Sequence, residues 1–182
     1  MSKRKAVIFG IKGKYLTHEE INLFKKEKPW GIILFSRNIK NISQLKLLIS
    51  QIKEIYNDKN FPILIDQEGG SVSRLNKIID FTSFSQNYFG KLFSKDKKTF
   101  FKYYTIYIEK VCDIFKKVGI NINTVPVLDV THKITNKIIK DRSFSSDPRI
   151  VLKMGKICID LYSKNKIATV IKHIPGHGLA KS

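Results

Sequence analysis

The last part of the chain carries the stretch that is richest in reactive side chains. "KHIPGHG" places Lys172, His173 and His177 close together, directly after an apolar run. Two histidines four residues apart would bind zinc on a helix, but Pro175 and Gly176 lie between them, so no regular helix presents both on one face. We therefore expect no metal site. The stretch predicts a cation and an imidazole at a strand end, in a loop that could carry further catalytic groups.

A second group of charged residues lies in "ILIDQEGGSVSRL". Asp66 and Glu68 stand where an apolar run ends, and two glycines follow that allow a sharp turn. A charge at the end of a buried strand has to be paired or used. Two interpretations stay open: an acidic turn with Arg74 as its salt-bridge partner, or a carboxylate that accepts hydrogen bonds from a polar ligand and is supported by Arg74.

Two further segments hold candidate site residues. "NTVPVLDV" delivers Asp129 at another predicted strand end, where Asp is also common as a helix or loop cap. "DRSFSSDPRI" places Arg142 in a long loop from which it could reach a ligand. Only five of the 34 basic residues are Arg. Where Lys is the usual cation, an Arg suggests a site that needs a planar, bidentate fork, which draws attention to Arg74 and Arg142.

The elements that must position these residues alternate between strands and helices. Five continuous runs of apolar residues are typical of strands buried on both faces. Helices are predicted after the capping box that starts at Thr17, and by the apolar spacing and end signals of the later segments. The predicted strands are 6–11, 31–36, 62–66, 120–129 and 168–171, and the later helices are 42–56, about 95–118 and about 147–163.

This alternation predicts a parallel sheet, either an open doubly wound sheet or a (β/α)₈ barrel. The charged motifs follow the third, fourth and fifth strands. Chemistry spread over several strand ends is how a TIM barrel builds its site, whereas an open sheet concentrates it at one switch point. A barrel takes eight strands. We therefore expect an α/β fold that forms about the first five strands of a TIM (β/α)₈-type barrel, cut short.

Composition limits the possible partners. The chain has 182 residues, of which 42% are hydrophobic, so we expect a folded domain. No apolar stretch approaches the ~20 residues that span a bilayer, and no cleavage site follows the basic N-terminus. Cys112 and Cys158 are interpreted as small core residues, which fits a reducing cytoplasm. The net charge of +19 suggests nucleic acid, but the lysines are scattered through most helices, so we expect no nucleic-acid partner.

With these motifs in order, the sequence resembles the bacterial β-N-acetylglucosaminidases of glycoside hydrolase family 3, which trim N-acetylglucosamine from cell-wall muropeptides. "GIILFSRN", "ILIDQEGG", "PVLDV", "DRSF" and "KHIPGHG" occur in the family's order over essentially the whole chain. Related β-glucosidases share the fold and some of these residues. The Pro-Gly-His-Gly loop favours the hexosaminidase branch.

The resemblance implies roles for individual residues. In this branch the "KHIPGHG" loop continues into an Asp-Ser-His segment whose His is the general acid/base, and the nucleophile is an Asp on a later strand. Neither lies in the sequence, so we expect residues 1–182 to be the N-terminal part of one barrel domain, truncated before both groups and inactive alone. The residues matched to binding of the terminal sugar are Asp66, Arg74, Arg142, Lys172 and His173, with Asp129 and His177 in support.

The implied activity is removal of terminal non-reducing N-acetyl-β-D-glucosamine by a retaining mechanism, in cytoplasmic peptidoglycan recycling. The implied substrates are muropeptides of the GlcNAc-anhydroMurNAc type, with no cofactor, no membrane and a monomeric enzyme. Three alternatives stay open: a catalytically silent sugar-binding relative, a β-glucosidase-type member and, more distantly, a nucleic-acid-binding protein.

Overall fold

A parallel sheet of five strands lies at the centre of the structure, a computed structural model that describes residues 4–179. The strands follow one another in chain order, and each pairs in parallel with the next. An order that never reverses is that of a barrel wall and not of a doubly wound sheet. The predicted barrel-type α/β fold is therefore confirmed. The strands are β1 (Lys5–Gly10), β2 (Pro29–Leu34), β3 (Ile63–Ile65), β4 (Ile122–Asn123) and β5 (Ala168–Thr169).

Helices connect the strands, and one of them was missed by the sequence analysis. The segment 86–95 forms a helix of its own, because Asp96 takes an extended conformation that ends this helix and caps the next, accepting a hydrogen bond from Thr99 N. A single residue with both functions hides the boundary. The helices are α1 (His18–Glu27), α2 (Ile42–Ile55), α3 (Gln86–Lys95), α4 (Lys97–Val118) and α5 (Pro148–Lys164), with a short 3-10 helix at Ser36–Asn38.

The fourth strand is much shorter than the predicted 120–129. Its last backbone bond to β3 runs from Thr124 N to Ile65 O at 2.9 Å, and beyond it the pairing passes to the side chain of Asn123. Gln67 N donates to Asn123 Oδ1 and Asn123 Nδ2 donates to Gln67 O, both at 2.9 Å. Pro126 follows and has no N–H to donate. The chain therefore leaves the ladder early, and the segment up to Asp129 follows an irregular path across the end of the sheet.

Helix α3 supports that irregular segment. Its Phe89 packs on Tyr104 and Tyr107 of α4, with ring centroids 4.6 and 5.2 Å apart. The buried Gln86 donates from Nε2 to Arg142 O and accepts from Val127 N at 3.2 Å. One side chain thus joins the extension of β4 to the loop before α5.

The interior agrees with the composition argument. Apolar side chains of β2, β3, α2 and α4 form one continuous core. Cys112 and Cys158 are buried and unpaired, as predicted for small core residues. Within residues 4–179, no helix combines the length and the apolar character that crossing a membrane requires.

Gly90 tests the contact between α3 and the loop. A Cβ at this position would lie 1.8 Å from Phe144 O. Because neither the helix nor the loop backbone can move away without breaking its hydrogen bonds, we expect Gly90→Ala to lower the free energy of unfolding by about 1–3 kcal/mol. Urea unfolding followed by circular dichroism measures it.

Gly13→Ala is the matched control, since its Cβ would come no closer than 3.9 Å to the nearest atom outside the adjoining residues. Equal stability of the Gly90→Ala variant and the wild type would show that α3 does not press on the loop at Phe144.

Candidate functional site

Side chains from three strand ends meet above the sheet. Asp66 follows β3, Thr124 follows β4 and Lys172 follows β5, where it forms a parallel bridge with Val127. Lys172 Nζ lies 3.0 Å from both Asp66 Oδ1 and Thr124 Oγ1. The carboxyl ends of parallel strands share one edge of a sheet, so residues 106 positions apart in the chain are brought into contact.

A cavity of about 340 Å³ opens at this point. It contains four of the five residues expected to bind sugar. The fifth, His173, lines a neighbouring cavity of about 280 Å³ together with Asp129 and the loop 175–179. The lining residues of the first cavity are Asp66, Glu68, Ser71, Val72, Arg74, Ile138, Arg142 and Lys172.

Asp66 has one oxygen that the described residues leave open. Its Oδ1 accepts from Lys172 and from the hydroxyl of Thr124. Its Oδ2 lies 3.7 Å from Arg74 NH2, an ionic contact that is too long for a hydrogen bond. Burial acts to raise the pKa of Asp66, but Lys172, Thr124 and Arg74 outweigh it and lower the pKa below its ordinary value. The ionised Oδ2 can accept a hydrogen bond from a ligand.

Arg74 is held mainly through its backbone. Its N–H donates to Gln67 Oε1 at 2.8 Å. Its guanidinium lies over the ring of Phe35, 5.6 Å from the centroid. Within residues 4–179, Arg74 Nε is buried and has no hydrogen-bond partner. Arg74 therefore combines both interpretations made from the sequence: it contacts an acidic turn and keeps donor capacity at the cavity.

Glu68 pairs with two cations. Arg142 donates from Nε to Oε2 at 2.8 Å and from NH2 to Oε1 at 2.9 Å. Lys172 Nζ lies 2.7 Å from Oε1. Burial acts to lower the pKa of Arg142, but the Glu68 carboxylate outweighs it and raises that pKa. The fork that the sequence suggested for a ligand is thus engaged with Glu68.

Asp129 organises the "KHIPGHG" loop. Its Oδ1 accepts from the backbone N–H of His177 at 2.5 Å and of Gly178 at 3.0 Å. Its Oδ2 lies 2.7 Å from His173 Nδ1 and accepts from His173 N at 3.3 Å. Burial acts to raise the pKa of Asp129, but these hydrogen bonds outweigh it and lower the pKa. Because an ionised carboxylate only accepts, His173 Nδ1 carries the proton.

The structure also places the supporting residues. His177 is fixed through its backbone, and its ring packs edge-on against His173 with centroids 5.3 Å apart. The backbone oxygen of Asp129 accepts from Ser143 Oγ at 2.5 Å, which joins this loop to the one that carries Arg142. Across residues 4–179, no group of three His, Cys, Asp or Glu side chains is arranged to hold a metal ion.

The site can bind a polar ligand, but neither Asp66 nor Asp129 suits the role of a general acid. Such an acid needs a raised pKa, whereas the pKa values of Asp66 and Asp129 are both lowered. The sequence analysis offered Arg74 as the partner of the acidic turn that contains Glu68, whereas Glu68 pairs with Arg142 and Lys172. It did not single out Thr124, whose neutral hydroxyl gave no charge signal.

Comparisons with known proteins show what the chain as a whole is similar to. The β-hexosaminidase of Haemophilus influenzae (strain ATCC 51907 / DSM 11121 / KW20 / Rd) is 31% identical over 175 residues, which cover 95% of this chain and 48% of that protein. The chain thus spans about half the length of this curated relative.

Two crystal structures of NagZ from Neisseria gonorrhoeae have a similar fold. The native form has a TM-score of 0.85 at 28% identity, over 98% of this chain and 52% of that chain. The complex with N-trifluoroacetyl-D-glucosamine has a TM-score of 0.83 at 30% identity, over 96% and 52%. A family model described as "Glycosyl hydrolase family 3 N terminal domain" matches residues 7–182. The resemblance seen in the motifs is therefore confirmed, and the chain belongs to glycosyl hydrolase family 3.

Proposed function

We propose that the protein containing this chain is a β-N-acetylglucosaminidase, and that this chain supplies the subsite for the terminal non-reducing sugar. The observation that carries the proposal is the cavity that brings Asp66, Arg74, Arg142 and Lys172 together at the ends of the strands. The family assignment supports it, as does the structural similarity to a NagZ that binds N-trifluoroacetyl-D-glucosamine.

The donors and acceptors of the cavity suit a neutral sugar. A carboxylate oxygen with open capacity, Asp66 Oδ2, accepts from a hydroxyl group, and the free N–H groups of Arg74 donate to hydroxyl or acetamido oxygens. Charge-assisted hydrogen bonds of this kind are directional, so they select the arrangement of hydroxyl groups around the ring.

The hydrolytic step needs groups that the described site does not contain. In the proposed retaining mechanism, a His on the continuation of the "KHIPGHG" loop is the acid/base and an Asp on a later strand is the nucleophile, both beyond Ser182. Asp129 supports this proposal because it fixes the backbone of His177 and Gly178, from which that continuation would start. The loop would then hold its His over the bound sugar.

The biological setting is proposed from the same family relationship. We infer muropeptides of the GlcNAc-anhydroMurNAc type as substrates, a role in peptidoglycan recycling, a cytoplasmic location and a monomeric enzyme. No cofactor takes part in a retaining hydrolysis by a His and an Asp.

Release of nitrophenol from 4-nitrophenyl N-acetyl-β-D-glucosaminide tests the proposed activity. We expect the whole protein to hydrolyse it and residues 1–182 alone to give no measurable turnover, since loss of a nucleophile and a proton donor costs many orders of magnitude. Robust turnover by the purified 182-residue chain would contradict the assignment of the catalytic groups. A whole protein that binds N-acetylglucosamine without hydrolysis would be a silent sugar-binding relative.

Arg142→Lys tests the role of the planar fork in the whole protein. Lys keeps the charge but lacks the planar fork, which makes two parallel bonds to Glu68 and still presents N–H groups on separate nitrogens. Charge-assisted hydrogen bonds contribute roughly 1.5–3 kcal/mol, so we expect kcat/KM to fall about tenfold to a hundredfold. Arg149→Lys is the control, since the Arg149 side chain is 87% exposed. Equal kcat/KM for the two variants would remove Arg142 from the site.

Asp129→Asn tests the support of the catalytic loop. Because folding lowers the pKa of Asp129, the folded state binds fewer protons than the unfolded state near that pKa. The stabilisation is therefore complete above the ordinary carboxyl value of 3.8 and is lost as the pH falls through the lower folded value.

We expect Asp129→Asn to lower the free energy of unfolding at pH 7 by about 1–3 kcal/mol, and this deficit to shrink progressively below pH 3.8. Urea unfolding at about eight pH values between about pH 2.5 and pH 7 measures both quantities. Asp113→Asn, on an exposed part of α4, is the control. A deficit that does not depend on pH would contradict the ionised state of Asp129.

A further inference from the structure

We propose that Glu68 is a positioning residue, whose buried carboxylate sets which N–H groups of Arg142 remain for the sugar and holds Lys172 in place against Asp66. The inference rests on the proposed function, because it concerns the same cavity. Glu68 itself is almost closed to a ligand, since its side chain is 1% exposed. Its effect on binding is therefore exerted through the two cations.

The backbone of Glu68 is fixed as well as its carboxylate. Glu68 N donates to Val72 O at 3.0 Å, and Gly69 forms an antiparallel bridge with Val72, which closes the turn. Within this turn, Gly70 has no room for a side chain, because a Cβ would lie 2.5 Å from Asp141 Oδ2. The same Asp141 oxygen accepts a hydrogen bond from Ser71 N at 2.8 Å. The turn that carries Glu68 is thus fixed against the residue that precedes Arg142.

Arg142 keeps few of its N–H groups for a ligand. A guanidinium has five N–H groups. One on Nε and one on NH2 donate to Glu68, and one on NH1 donates to Ile138 O at 3.3 Å. The two that remain are on NH1 and NH2. Glu68 therefore leaves the ligand the terminal nitrogens of the fork and excludes Nε.

Lys172 is committed still more completely. An ammonium group has three N–H groups, and Lys172 Nζ has three acceptors within 3.0 Å: Asp66 Oδ1, Thr124 Oγ1 and Glu68 Oε1. Lys172 is thereby held between two carboxylates. In this arrangement it fixes Asp66 for the sugar.

Removal of the Glu68 charge would disturb both cations at once. Arg142 and Lys172 both contact Oε1, so a neutral side chain at 68 would leave two buried positive charges side by side. Their repulsion would turn Arg142 away from the cavity and loosen the contact of Lys172 with Asp66. The expected consequence is weaker sugar binding from a residue that does not touch the sugar.

Glu68→Gln in the whole protein tests this, with hydrolysis of 4-nitrophenyl N-acetyl-β-D-glucosaminide as the assay. We expect kcat/KM to fall about tenfold or more, mainly through a higher KM. The exposed Glu109→Gln on α4 is the control and should leave both constants unchanged. A folded Glu68→Gln enzyme with the wild-type KM would overturn the proposal, because a purely structural role lowers the melting temperature without changing KM.

A double-mutant cycle asks whether Glu68 acts through Arg142. In an Arg142→Lys background we expect Glu68→Gln to cost clearly less than in the wild type, because the partner is already displaced. If the losses in kcat/KM of the two single variants simply multiply in the double variant, the two residues act independently and the proposal is overturned. If Glu68→Gln does not fold, Glu68→Asp replaces it: the charge is kept but the side chain is too short to span both cations. A Glu68→Asp enzyme with the wild-type KM would also overturn the proposal.

The NMR signal of Arg142 Nε–H gives a measurement that does not depend on turnover. The signal is identified by its loss in Arg142→Lys. In the wild type we expect slow exchange with solvent, and in Glu68→Gln a shifted signal that exchanges faster. If the wild-type protein does not hydrolyse the glycoside, the proposed function is refuted. The Arg142 Nε–H signal would still show whether Glu68 holds Arg142 in place. An unchanged signal in Glu68→Gln would refute the positioning role alone.

Discussion

The site depends on the neutralisation of carboxylates at the buried ends of parallel strands. Asp66, Glu68 and Asp129 leave the sheet where water has little access, and a buried charge without partners is unstable. Each therefore has a cation or several N–H groups around it. The partners come from loops far away in the chain. This single requirement therefore brings Arg142, Lys172 and the "KHIPGHG" loop together at the same edge of the sheet.

The other elements hold those loops in place. Helix α3 packs on α4 through aromatic rings, and Gly90 lets its backbone come close to Phe144. Gln86 then joins the loop of Arg142 to the end of β4. Much of the ordering of the site is therefore complete once the chain has folded. A ligand meets donors and acceptors that are already oriented, which reduces the entropy lost on binding.

Sequence reasoning predicted what depends on local pattern. Runs of apolar residues located the strands, and their parallel order followed from the helices between them, so the convergence of Asp66 and Lys172 could be expected. The pairing of Glu68 with Arg142 could not, since it is set by the path of loops between residues 74 positions apart. The early end of β4 was missed for a similar reason: the amide of Asn123 takes over the ladder, and that depends on its neighbour in space.

The pairing of Glu68 with Arg142 also constrains how this sequence can diverge. Replacement of Glu68 alone leaves the buried charge of Arg142 without its carboxylate, which is strongly destabilising, whereas replacement of both by apolar residues of similar volume need not be. The two positions are thus expected to covary among related sequences. Sequence drift at this cavity would then proceed by paired exchanges, whereas single neutral substitutions would occur at exposed positions such as Arg149.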